Sequence, residues 1–313
     1  MTIQIRKATR KKAKLRLGIS APSGAGKTLG ALLLAYGITN DWSKIGVIDT
    51  EEGSGELYVG VTKHGVTIGE FEYIRISKDF SPVNYLNAIK AFEKSGVEVI
   101  IIDSLTHAWA GVEGLLDKQS RIAAKSGNSY TAWREITPQH NALVQAMLQS
   151  PCHIIATMRS KVEYAMQDGD NGKKKVVKLG MAPIQREGME YEFTVFFDIN
   201  SDSVCTTSKD RTDLFSTVNA AGILEKRSFI ISPAVGAELL GWLNTGKEVP
   251  PPEPEPENPL VSKIKMLIDT VVLDLTNPQD KWIDDNYINL ATTEESKLEK
   301  IYDYLKTKQP KGE

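Results

Sequence analysis

The chain has 313 residues, 41% of them hydrophobic and 25% charged, an ordinary globular balance that allows one large core and a small appendage. Its longest apolar runs, around residues 32–35 and 99–102, fall far short of the ~20 residues that span a bilayer, and no apolar stretch follows the basic start, so neither a membrane span nor a signal peptide is expected. The only cysteines, Cys152 and Cys205, lack metal-type spacing, which predicts a reduced, cytoplasmic protein.

The chain opens on a basic arm, residues 1–13. Arg6, Lys7, Arg10, Lys11 and Lys12 run into Lys14 and Arg16, and residues 1–40 contain no Asp or Glu. From Glu248 onward, 14 acidic and 8 basic residues give −6, which leaves +4 on the preceding 247 out of a total of −2. A basic body with an acidic tail points to a polyanionic partner such as nucleic acid, although such runs as readily mark solvated faces.

Residues 14–20 predict a strand and residues 27–37 a helix. Between them stands Ala21-Pro22-Ser23-Gly24-Ala25-Gly26-Lys27-Thr28, a P-loop in the strand–loop–helix setting that this motif requires. Gly24 and Gly26 let the backbone curl so that successive N–H groups, from Ser23 through Thr28, face one concavity above a helix N-terminus. Lys27 is placed for the β- and γ-phosphates of ATP, and the Thr28 hydroxyl for Mg²⁺. The usual first glycine is Ala21 here, a mild steric demand that leaves the cradle intact.

A strand at residues 45–49 leads into Asp49-Thr50-Glu51-Glu52-Gly53. Crowded carboxylates at a strand end repel unless a cation or an attacking water needs them, and Glu51 is the general-base candidate. A helix follows at 82–95 and then a strand at 97–103, whose β-branched run Val99-Ile100-Ile101-Ile102 reads as buried on both faces. Its end delivers Asp103 beside the P-loop, as the second Mg²⁺-holding group. Helices at 107–124 and 132–149, strands at 153–158, 193–199 and 203–208, and a helix at 233–244 complete residues 14–247. The alternation predicts an α/β fold, a mainly parallel sheet flanked by helices. Thr157 ends a strand and is either a γ-phosphate sensor or a packed residue; the four histidines have no metal-ligand spacing.

Residues 248–259 include VPPPEPEPENP, which favours a semi-rigid polyproline II linker. Beyond it, Leu260, Ile264, Leu267, Ile268, Val271 and Leu275 recur at helical spacing. Thr292 and Glu295 form a capping box before Leu298, Ile301 and Leu305. Residues 260–313 thus predict a small helical module.

Strand, P-loop, helix, then VIDTEEG, then VIIIDS resembles the ATPase core of RecA-type recombinases. With REGMEYEFTVFFDI, TSKDRTDLF and above all GMAPIQREGMEYEF, the core looks similar to the Sak group of phage single-strand annealing ATPases. The resemblance implies a RecA-like P-loop fold and Glu51 as the catalytic base. It also implies that Lys209 and Arg211 are cations reaching into a neighbouring subunit's ATP, within a homo-oligomeric ring or filament in a phage-infected bacterial cytoplasm. Single-stranded DNA would follow two loops, 124–132 and 159–178. Lys125 and Tyr130 stand in the first; Arg159, Lys161, Lys173, Lys174, Lys175 and Lys178 stand in the second, a cation-plus-aromatic composition suited to backbone tracking and base stacking. The second segment reads equally as a β-hairpin with a soluble tip.

The function expected is therefore an ATP-dependent, single-stranded-DNA-binding recombination ATPase. The alternative is an ATP-binding assembly module with little hydrolysis that recruits a single-strand binding protein. A nucleotide kinase would need an arginine-rich lid and a GTPase an Asn-Lys-x-Asp motif, and neither pattern is found in the sequence.

Overall fold

A computed structural model describes residues 7–168, 174–218, 224–246, 258–268, 270–271, 273–274, 276–286, 290 and 293–308. β1 (Arg16–Ala21) enters the P-loop and α1 (Lys27–Thr39) leaves it. β2 (Ile45–Asp49) is followed by a two-residue hairpin of β3 (Thr62–Lys63) and β4 (Val66–Thr67) and by β5 (Glu72–Arg75). Then come α2 (Pro82–Ser95), β6 (Val99–Asp103), α3 (Thr106–Ala110), α4 (Leu115–Ser126) and α5 (Ser129–Gln149). β7 (His153–Asp168), β8 (Lys174–Pro183), β9 (Val195–Ile199), β10 (Cys205–Asp210), β11 (Ser216–Val218), β12 (Leu224–Lys226) and α6 (Pro233–Leu243) complete the first unit.

The main sheet runs β10-β9-β1-β7-β6-β2-β5, with β8 paired to the far part of β7. All neighbours along the row are parallel except β10, which is antiparallel to β9. One strand, β7, thus separates the P-loop strand from β6. The β-branched run of β6 explains its central place: Val99 and Ile101 face α1 and α6, whereas Ile100 and Ile102 face α2 and α5, all fully buried. Each such side chain contributes roughly 1.5–3 kcal/mol of transfer free energy. α1 and α6 touch backbone to backbone, since a Cβ on Gly236 would stand 2.3 Å from the Leu34 carbonyl oxygen.

Several expected boundaries move, for local reasons. The helix expected over 107–124 breaks into α3 and α4, because Glu113 sits at φ +60 and the Gly114 N–H turns back to the Gly111 carbonyl at 2.9 Å. The strand expected at 153–158 continues through residue 168 and folds back on β8 as a hairpin. The segment 124–132, read as a loop, is instead a tight corner between helices. Gly127 closes α4 in the left-handed region, and the Asn128 side chain caps α5 by accepting from the Tyr130 and Thr131 N–H groups. The edge strand β5 was not foreseen.

The basic start is partly structural. Arg16, only 7% exposed, donates to the carbonyls of Leu15, Leu148, Ser150 and Cys152, closing the C-terminal end of α5. It is therefore not available to a polyanion. Arg10 lies over the Trp242 ring at 4.7 Å and donates to the Trp242 carbonyl.

The second compact unit begins at Val249. Its helices are α7 (Pro259–Ile268), α8 (Pro278–Asn286) and α9 (Glu295–Lys308), packed around Val261, Ile264, Ile283, Leu298 and Leu305. Buried Asp280 accepts from Tyr304, at 2.9 Å, and from Lys308. α8 was not foreseen; Leu275 and Thr292 lie outside the described residues. No helix among the described residues is long and apolar enough to cross a membrane.

Candidate nucleotide site

The P-loop leaves β1 at Ala21, whose Cα pairs with Arg159 of β7. Gly24 and Gly26 stand at φ +79 and +93, where a side chain is strained, and Gly26 opens α1. Ser23 and Gly24 are exposed, Ala25 is buried and Gly26 partly buried, so the outer half of the loop faces solvent. Lys27 lies 9% exposed, with its ammonium donating to the carbonyls of Ala21 at 3.3 Å and Pro22 at 3.1 Å. Burial lowers its pKa, Asp103 and Glu51 oppose that, and Arg159 adds to it. The Lys27 ammonium thus senses both acidic residues and the Arg159 cation.

The Thr28 hydroxyl donates to Asp103 Oδ2 at 2.6 Å, and the Thr157 hydroxyl donates to Asp103 Oδ1. Burial pushes the Asp103 carboxyl above the usual range. The two hydroxyls pull the other way, and the nearby Glu51 and Asp49 charges push it further up. Such a carboxylate, one hydroxyl away from a phosphate cradle, fits a small hard cation. Thr28 and Asp103 offer oxygen only, the donor chemistry of Mg²⁺ that keeps its waters and completes its shell from phosphate. Those two residues are the ones that would hold it.

Glu51 follows β2 and is braced from below. Asp49 accepts from the N–H groups of Glu51 and Gly53 and from the Tyr73 hydroxyl, which shapes the turn. Thr50 ties β2 to β6, since its N–H donates to the Asp103 carbonyl at 2.7 Å and its hydroxyl accepts from the Ser104 N–H at 2.8 Å. His107 Nδ1 stands 2.8 Å from the same hydroxyl, so this histidine, given no role by spacing, belongs to the scaffold of the turn. The Glu51 carboxylate itself accepts from Ser104 Oγ at 2.9 Å, from Arg159 Nε at 2.9 Å, and from a second Arg159 nitrogen. Burial raises its pKa, but the Arg159 and Ser104 hydrogen bonds outweigh that and hold the carboxyl below the ordinary glutamate range.

A conserved-domain model described as an AAA domain matches residues 13–225, more than half of the chain and the whole of this site. The chain belongs to the AAA domain family. Membership makes it a P-loop nucleotide-binding protein, in a family whose members are generally ATPases. A comparison with the curated proteins finds no match.

In this AAA domain the other expected site residues divide by position. Lys209 pairs with Phe196, which is level with Gly18, and the Arg211 N–H donates to the Thr194 carbonyl, level with Arg16. Arg211 therefore lies at the end of the sheet opposite the P-loop of its own chain and Lys209 midway along it, and Lys209 donates to the Tyr191 carbonyl. Burial lowers the Lys209 pKa and the neighbouring Arg211 lowers it further.

Lys125 is exposed in the last turn of α4, and Tyr130 is 83% exposed at the start of α5. Lys161 is exposed on β7, while Lys174, Lys175 and Lys178 occupy β8 opposite Asp168, Gln167 and Tyr164; Lys173 lies outside the described residues. Arg159 stands apart from that set. Read as the first residue of a DNA loop, it is drawn by Glu51 into the nucleotide cluster.

Sequence reasoning also passed over Tyr73, whose hydroxyl braces Asp49, and a groove lined by Trp109, Trp133, Arg186 and Tyr191, in which the two indoles stack at 5.8 Å. Neither has a local signature, because each is assembled from elements distant in the chain.

Proposed function

We propose that the chain is an ATP-dependent, single-stranded-DNA-binding recombination protein that promotes strand annealing or exchange, with ATP held where neighbouring subunits meet. The observation that carries this reading is the course of β7. The strand delivers Thr157 to Asp103 and Arg159 to Glu51, then continues unbroken into the hairpin that bears Lys161, Lys174, Lys175 and Lys178. β7 thus runs from the nucleotide site into the hairpin that carries these lysines, which supports coupling between polyanion binding and the phosphate chemistry.

At the site the P-loop amides and Lys27 bind the phosphates, and Glu51 is the group that takes the proton from the attacking water. Mg²⁺, when bound, supplies neutralisation of the phosphate charge. Arg211 lies at the far end of the sheet from its own P-loop and Lys209 midway along it, so on this reading they complete the site of an adjacent copy, in a ring or filament. A bacterial cytoplasm during phage infection goes with the same reading. Turnover of Mg·ATP by the full chain with and without an oligo(dT), together with filter retention of the labelled strand at rising salt, tests it. Stimulated turnover and salt-sensitive retention are expected; unchanged hydrolysis with no retention overturns the proposal.

One observation favours the alternative, an ATP-binding assembly module that recruits a single-strand binding protein: both Glu51 oxygens are already engaged by Arg159 and Ser104. That reading expects oligomer size to follow nucleotide while turnover stays near background.

A further inference from the structure

The turn that carries Glu51 is held from the edge of the sheet. β5 pairs with β2 in parallel, with Tyr73 level with Val47 and Arg75 level with Asp49. Tyr73 and Arg75 stand two residues apart on one face of β5, and both side chains reach forward into residues 49–53. The Tyr73 hydroxyl donates to Asp49, which is fully buried, whereas Arg75 pairs with Glu52 at the surface. Asp49 also accepts the Glu51 N–H at 2.8 Å and the Gly53 N–H. Glu52 and Gly53 stand at φ +58 and +88, which curls these amides around the carboxylate in an anion-binding concavity. Of the three donors, Tyr73 alone comes from another strand. A buried carboxylate is costly unless such donors satisfy it, so removing one loosens the turn.

We propose that Tyr73 is a positioning residue for ATP hydrolysis: acting through the Asp49 carboxylate, it fixes the backbone of the 49–53 turn and so the place from which Glu51 meets the attacking water. The inference rests on the reading of Glu51 as the base of an ATPase centre. Arg159 and Ser104 touch the Glu51 carboxylate, whereas Asp49 grips the Glu51 backbone. The grip from Asp49 therefore takes none of the lone pairs that the base needs. The Tyr73 ring packs against the core beside Phe71, with ring centroids 6.5 Å apart, and this fixes the hydroxyl in turn. β7, β6 and β2 stand between β1 and β5, so Tyr73 bears on the base and not on the phosphate cradle. Displacing a reacting group by about 1 Å costs on the order of a hundredfold in rate, so one hydrogen bond behind the base is enough to be read in turnover.

Steady-state turnover of Mg·ATP by the full chain, beside calorimetry with Mg·ADP, tests the role. Tyr73→Phe keeps the ring and removes only the hydroxyl. Its kcat should fall roughly tenfold or more, the scale of one hydrogen bond to a charged group, while KM and Mg·ADP affinity stay within about twofold. In a Glu51→Gln background the same substitution should change nothing, because Tyr73 acts through Glu51. A further loss as large as in the wild type overturns the proposal. Arg75→Gln breaks only an exposed pair and should keep turnover within about twofold. An equal loss there assigns the effect to the strand as a whole and overturns the role of the hydroxyl. If Tyr73→Phe does not fold, Asp49→Asn decides in its place, since it weakens the same grip on Glu51, and wild-type kcat in that variant overturns the proposal. A Tyr73→Phe protein with wild-type kcat overturns the positioning alone, while a Glu51→Gln protein with wild-type turnover overturns the base reading beneath it.

Discussion

The Thr28 hydroxyl meets the Asp103 carboxylate at 2.6 Å, joining the first turn of α1 to the end of β6 although 75 residues separate them in the chain. The strand order makes this possible. β7 lies between β1 and β6, so the P-loop and Asp103 face each other over one intervening strand end, at which Thr157 supplies the third side chain of the cluster.

Asp103→Asn should therefore fold, since the amide keeps an oxygen for Thr28 or Thr157 and burial already disfavours the charged form. It should bind nucleotide but need a much higher magnesium concentration. A Mg²⁺ titration of nucleotide affinity, comparing Asp103→Asn with Thr28→Ala, measures this. The same magnesium dependence in variant and wild type removes Asp103 from the metal site.

Glu51→Gln should retain ATP and lose hydrolysis by about 10²–10⁴-fold, the usual range for a positioned general base. Its amide still accepts from Arg159 and Ser104, so the turn built on Asp49 should survive. Single-turnover hydrolysis beside equilibrium ATP binding separates the two effects, and wild-type turnover would take Glu51 out of the mechanism.

The residues legible in the sequence are those whose chemistry is local in the chain. Lys27 and Thr28 follow from the P-loop spacing, and Asp103 from a β-branched run that is bound to be buried. Arg159 is legible as a cation but not as a partner of Glu51, because nothing near residue 159 says that its strand inserts between β1 and β6. Arg16 misleads for the same reason. In the sequence it continues a basic run, but in the fold it closes the carbonyl end of α5, which the chain reaches only 132 residues later. The break between α3 and α4 depends on a non-glycine residue, Glu113, at positive φ, a choice that side-chain periodicity does not report. The α/β class is the most legible feature, since the alternation of buried strands with helices is repeated along the whole of the first unit.

Arg211→Ala should bind ATP with the wild-type affinity and fail in turnover, since Arg211 lies at the opposite end of the sheet from its own P-loop. Lys27→Ala should weaken nucleotide binding by about 1.5–3 kcal/mol through loss of a charge-assisted contact. Neither variant alone should turn over ATP, whereas a mixture should regain activity, because an intact P-loop from one copy then meets an intact Arg211 from another. Absence of rescue across all mixing ratios argues against a shared site.

His153 sets a pH limit on the fold itself. Its Nδ1 accepts the Leu15 N–H at 3.0 Å, an acceptor role that only the neutral ring can fill, at the start of the strand that leads to the P-loop. Burial, with Lys14 and Arg16 adding to it, pushes the imidazole down to about 3 from an ordinary value of 6.5. Below pH 6.5 the unfolded chain takes up a proton that the folded chain refuses, so stability falls as the pH drops from 6.5 toward 3 and is insensitive to this group above 6.5. Between pH 7 and pH 5 the loss is about 2 kcal/mol, a drop in Tm of roughly 4–8 °C for a unit of this size. Burial also lowers the His107 and His140 pKa values, so the His153 share is read from the difference between wild type and variant. His153→Gln should be less stable at pH 7 yet nearly flat over the same range, because its amide oxygen can still accept from Leu15 and does not titrate. A variant whose Tm falls with acid as steeply as the wild type would assign the acid sensitivity to other groups.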